Sequence, residues 1–148
     1  MITPELLSHW AERIGYFPVG GPAELAQELE LGPLVVSSPE LAEVETPPAG
    51  VRRLRLFEDV GPHRSFDRIE VVLAPPGLSL GALEARFGPG EPLGPLSTGS
   101  GPRRMFTVWG VGAPCTCTVF VSFGAPTEPT AESRTTEIML RRNPAPAQ

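Results

Sequence analysis

Prolines and glycines punctuate this chain from end to end. The 19 Pro and 16 Gly are not gathered into one block, so many turns and irregular connections must join the regular elements. The spread also argues against a wholly disordered chain, because apolar segments of ordinary composition lie between the breaks. With 148 residues, 41% of them hydrophobic and 20% charged, the chain can bury a core without staples. One domain over 1–148 is expected, with a helical, acidic part at 1–50, a strand-rich part at 51–142 and a tail at 143–148.

The first helix is well signalled. Thr3 can cap it, Pro4 suits the first helical position, Glu5 favours the positive dipole end, and Leu6, Leu7, Trp10 and Ile14 mark one apolar face before Gly15. A second helix is predicted from Pro22 to Glu30, stopped by Gly32-Pro33. Leu34 to Ser37 can form a short strand, and the polar connection 38–50 has room for one helical turn at Pro39–Val44. From Val51 the pattern changes to strands at Val51–Phe57 and Arg68–Ala74, joined by a polar loop. Ser79 then caps a helix presenting Leu80, Leu83 and Phe87 and ending at Gly88-Pro89. After the Pro, Gly and Ser-rich loop Gly90–Pro102, strands are predicted at Met105–Val111, Thr116–Phe123 and Thr135–Arg142. Strands clustered rather than alternating with helices predict an α+β fold, with helices packed on a largely antiparallel sheet of about five strands.

Several chemistries are excluded by residue type. All 12 basic residues are Arg, so neither a Schiff-base lysine nor a P-loop lysine exists. The start carries no basic segment followed by an apolar run, and no stretch approaches the roughly 20 apolar residues of a membrane span. A cytoplasmic protein with no membrane contact is expected. Cys115 and Cys117 are too close for an unstrained disulfide, which points to two reduced, buried thiols.

The densest polar cluster, Glu58–Asp67, holds Asp59, His63 and Asp67, which a metal site or acid–base chemistry would use. The spacing matches no ligand motif, and a solvated turn accounts for the composition. His9 reads as a helix-surface residue. Ser97–Gly101 leads into a strand, unlike a nucleophile elbow or a phosphate cradle. No cofactor is expected. Arg52, Arg53, Arg55, Arg103, Arg104, Arg141 and Arg142 suggest a basic strip, but the net charge of −5 argues against nucleic acid.

The charge distribution is more informative. Residues 1–50 hold eight Glu and one Arg, a net −7, whereas the remainder holds eleven Arg and nine acidic residues, a net +2. Glu24, Glu28, Glu30, Glu40, Glu43 and Glu45 lie between Arg13 and Arg52 with no basic residue among them. A one-signed surface of this kind steers association with a basic protein partner, and whichever of Trp109 and Trp10 is exposed is a candidate anchor.

The segment Leu78–Pro89, a short helix ending in Phe-Gly-Pro, followed after a loop by the aromatic strand Met105–Gly110, resembles the helix-then-meander of SmpA/OmlA-like and β-lactamase-inhibitory-protein-like modules. Small toxin-immunity proteins have similar layouts. The resemblance spans about Ile69 to Arg141, lacks a lipidation cysteine near the start and leaves the two N-terminal helices unaccounted for. It implies a non-catalytic protein-binding module of inhibitor or immunity type. A small-molecule or enzymatic domain built on Glu58–Asp67, and a structural part of a phage or secretion assembly, stay open, as does the oligomeric state.

Overall fold

The computed structural model describes residues 1–16, 21–38, 40–58, 66–95 and 101–143. Helix α1 (Pro4–Tyr16) starts where the sequence predicts. The Thr3 hydroxyl accepts a hydrogen bond from the Leu6 amide at 3.1 Å, satisfying a donor that has no partner within the helix. Helix α2 (Pro22–Glu28) is shorter than the expected Pro22–Glu30. In helix α3 (Leu80–Phe87), the Ser79 hydroxyl accepts from the Ala82 amide at 3.1 Å, as its capping position predicts.

The strands are β1 (Leu34–Ser38), β2 (Leu41–Val44), β3 (Val51–Glu58), β4 (Phe66–Leu73), β5 (Glu91–Leu93), β6 (Arg103–Val108), β7 (Cys117–Ser122) and β8 (Glu137–Arg142). Among the described residues they form one antiparallel sheet of eight strands, ordered β1-β2-β3-β4-β8-β7-β6-β5. The α+β class therefore holds, but the expectation of about five strands is corrected to eight. Strand β2 replaces the helical turn expected within Pro39–Val44. Its pairing with β3 places Ala42 opposite Leu56, so Ala42 and Val44 are buried, and tertiary pairing overrides a weak local preference. Strand β5 lies in what reads as loop.

The topology is two four-stranded meanders, β1–β4 and β5–β8, joined edge to edge where β4 pairs with β8. Helix α2 precedes the first meander and α3 the second. Strands β1 and β5 are therefore the two equivalent outer edges of the sheet.

Side-chain alternation sorts the strand residues onto two faces. Leu54 and Leu56 of β3, Ile69 and Val71 of β4, Val119 and Val121 of β7, and Ile138 and Leu140 of β8 point to one face. There they bury against Leu7, Trp10 and Ile14 of α1, Leu25 of α2, and Leu80 and Leu83 of α3. Fully burying each large aliphatic side chain stabilises by about 1.5–3 kcal/mol. The opposite face has no helix on it among the described residues.

Candidate functional site

The six glutamates do not converge on one point. The Glu24 carboxylate accepts from the Gly21 amide at 3.1 Å at the start of α2. Glu28 pairs with Arg13 of α1, and Glu43 pairs with Arg53 across the β2–β3 ladder. Glu30, Glu40 and Glu45 are exposed, and no cation pairs with them among the described residues. All six lie in α2, in the β1–β2 hairpin or directly beside them. Trp109 follows β6, which is six strands away from β1, about 25–30 Å at the usual strand spacing. It is 71% exposed, and its indole Nε1 donates to the Ala113 carbonyl at 3.2 Å. Trp109 and the glutamates therefore belong to different surfaces.

What the glutamates surround is the outer edge of β1. This strand has five residues, Leu-Val-Val-Ser-Ser, with neither charge nor proline. Val35 is 52% exposed and Val36 is 72% exposed. Leu34 lies opposite Val44, Val35 opposite Glu43 and Val36 opposite Ala42, and the Glu45 amide donates to the Pro33 carbonyl at 3.0 Å. Opposed residues in an antiparallel ladder are alternately hydrogen-bonded and not. Val35 is therefore bonded to Glu43, while the backbone N–H and C=O groups of Leu34 and Val36 point away from β2, along the free edge.

Natural sheets usually blunt such an edge with charge, proline or shortness. The equivalent edge does so: β5 is only Glu91-Pro92-Leu93, with a proline at its centre and a carboxylate beside it. Strand β1 carries neither charge nor proline within its length, and its one irregularity is a register shift against β2 between Val36 and Ser38.

On the helix side of the β1 edge lies an open groove of about 490 Å³, lined by Ala23, Ala26, Gln27, Glu30, Gly32 and Leu34. Residues 23, 26, 27 and 30 recur at the spacing of one helix face, so α2 and its capping turn form one wall, while Gly32 and Leu34, the first residue of β1, form the other. Glu30 also lines a second cavity of about 350 Å³, with Leu6, His9, Trp10, Leu29, Leu31, Thr46 and Pro48.

Glu30 has an unusual backbone. Its φ of 56° makes it the only non-glycine residue with positive φ among the described residues. The Leu31 amide donates to the Ala26 carbonyl at 2.9 Å and the Glu30 amide to the Gln27 carbonyl at 3.2 Å. These two bonds define a Schellman motif, whose left-handed position glycine usually fills. A glutamate there is disfavoured by about 1–2 kcal/mol through contact between its Cβ and the following carbonyl. The helix closes before Glu30 because this motif turns the chain, two residues before the Gly32-Pro33 stop read from the sequence.

The other candidates contribute less. Of the Glu58–Asp67 cluster, Asp59 and His63 lie outside the described residues. Asp67 pairs with Arg68 at 2.5 Å, and Arg68 also reaches Glu70 at 3.0 Å and stacks 4.0 Å from the Phe57 ring centroid. Among the described residues no group of three or more His, Cys, Asp or Glu is placed to hold a metal. The arginines do not form a single strip. Arg53, Arg55, Arg103 and Arg141 share the open sheet face, while the register turns Arg104 and Arg142 to the helix side. On the open face, Arg55 pairs with Glu70 at 3.0 Å. A cavity of about 100 Å³ beside Val72, Phe120 and Met139 on that face is below the roughly 300 Å³ of a typical ligand site. Cys115 and Cys117 are both free thiols, but only Cys117 is buried as expected, while Cys115 is partly exposed. Burial pushes the Cys117 thiol up to about 12, which keeps it protonated and unreactive.

The sequence points to the acidic residues but not to what they flank. The uncharged, proline-free sequence of β1 carries no mark of an outer strand, and Glu30 reads as an ordinary helical residue. Comparison with protein-family models, with curated proteins and with solved structures finds no significant match.

Proposed function

We propose that this protein is a protein-binding module that takes up an extended segment of a partner along the outer edge of β1. One observation carries the reading: the two outer edges are topologically equivalent, yet β5 is guarded by Glu91 and Pro92 while β1 is longer, uncharged and bordered by a groove. Strand addition draws affinity from main-chain hydrogen bonds and specificity from pockets for alternate side chains. The groups of Leu34 and Val36 supply the first and the α2 groove supplies the second. An inhibitor or immunity role is the case in which the partner is a toxic effector. Among the described residues no helix is long and apolar enough to cross a membrane.

The test is selection of displayed random peptides on the immobilised full chain, followed by rebinding to a Val36→Pro variant. Proline at 36 removes a donor that points away from β2, so the β1–β2 ladder is kept. The reading expects enriched peptides with strand-like alternation that lose binding to Val36→Pro. Failure to enrich, or binders indifferent to Val36→Pro, would refute it.

A further inference from the structure

We infer that the segment accepted by the β1 edge is basic, with an Arg or Lys side chain lying in the α2 groove and its cationic head at Glu30. This inference rests on the strand-addition reading and adds the chemistry of the ligand.

The register dictates where side chains of an added strand go. A residue paired antiparallel to Leu34 exchanges two hydrogen bonds with it, and its side chain falls on the same face as that of Leu34. That face is the helix side, since Leu34 lies opposite Val44, which is buried. The side chain therefore enters the groove between α2 and β1, over Ala23, Ala26 and Leu34, with Glu30 in the lining. The next residue, opposite Val35, falls on the open sheet face beside the half-exposed valine, where a β-branched partner fits.

A groove with small apolar walls and one carboxylate matches a long aliphatic stem that ends in a cation. An acidic side chain would meet Glu30 with like charge. The surroundings reinforce the sign. Residues 14–51 contain six glutamates and no basic residue, and Glu40 and Glu45 flank the two ends of β1 without a cationic partner among the described residues. Glutamate at the left-handed position is disfavoured relative to glycine, so the stability of α2 does not account for it.

The same charges argue against a second copy as the occupant. Pairing β1 with β1 of another molecule would face acidic hairpins against each other.

The experiment uses the full chain and three labelled ten-residue peptides of one Thr/Val alternation, with Arg, Gln or Glu at a single central position. Anisotropy titrations follow at low and high salt, on the native protein, Glu30→Gln and Val36→Pro. The inference expects the Arg peptide to bind about tenfold or more tighter than the Glu peptide, with the gap closing in high salt. Glu30→Gln should erase the preference for Arg over Gln and leave the Gln peptide unchanged. Val36→Pro should weaken all three peptides alike. If all three bind equally to the native protein but not to Val36→Pro, the basic preference is overturned and strand addition stands. If none binds up to about 1 mM, or Val36→Pro has no effect, strand addition itself is overturned. A concentration-dependent dimer in light scattering that Val36→Pro abolishes would show a second copy to be the occupant and overturn the inference.

Discussion

Replacing Glu30 with glycine should make this protein more stable and bind less well. The left-handed φ of 56° disfavours a residue with a Cβ by about 1–2 kcal/mol. Glycine removes that contact but releases about 0.5–1 kcal/mol more backbone entropy on unfolding. The difference leaves a net gain of roughly 0.5–1 kcal/mol, or about 2–4 °C in Tm for a chain of this length. Glu30 also stands in an acidic surface, so any uncharged residue relieves some repulsion. Glu30→Gln and Glu30→Ala separate the two effects, since both remove the charge and keep the Cβ. Urea unfolding measures this through a shift in midpoint at unchanged slope. The reasoning requires Glu30→Gly to exceed both controls by more than about 0.5 kcal/mol. Equal stabilisation by all three would show that charge alone is at work. A loss of stability with Glu30→Gly would refute the strained Schellman position altogether.

Three further perturbations probe the structure independently. Val35→Pro should destabilise by about 1–3 kcal/mol more than Val36→Pro, because only the Val35 amide is committed to the ladder with Glu43; urea midpoints of the two variants read the difference, and equal losses would mean the register is wrong. The buried Cys117 thiol, shifted from an ordinary 9.0 to about 12, should make stability fall as pH rises above about 9, where only the unfolded chain loses the proton. Below pH 9 that contribution is fully present, and Cys117→Val should flatten the decline between pH 8 and pH 10. At pH 8 a maleimide should label Cys115 in the folded protein and leave Cys117 untouched until unfolding, with mass spectrometry as the readout.

Much of the fold was legible because local signals agreed with tertiary need. Thr3, Pro4 and the spacing of Leu7, Trp10 and Ile14 define α1 before any packing is known, and Ser79, Leu80 and Leu83 do the same for α3. Strands β3, β4, β7 and β8 show clear apolar alternation because they sit inside the sheet with one face buried. The strands with weak or no local signal, β1, β2 and β5, are outer or next to outer. Strand β5 contains Pro92 and has no alternation, and β2 is four residues long and becomes a strand by pairing with β3. The acidic bias around Glu24–Glu45 was readable as composition. Its placement beside an unguarded edge was not, because edge position is decided by strand order. Glu30 escaped notice for a related reason: its left-handed backbone is imposed by the turn from α2 into β1, and glutamate gives no hint of it. Trp109 is exposed and Trp10 is buried in the core, and the sheet separates Trp109 from the glutamates.

Whether a partner strand can add to this sheet depends on which backbone groups of β1 are free to pair. Residue-resolved amide hydrogen exchange, with and without a saturating basic peptide, measures this directly. In the free protein the Leu34 and Val36 amides should exchange fast and the Val35 amide slowly. On binding, Leu34 and Val36 should become protected while Val35 changes little. Protection that appears elsewhere on the sheet, with Leu34 and Val36 still exchanging freely, would contradict strand addition at this edge.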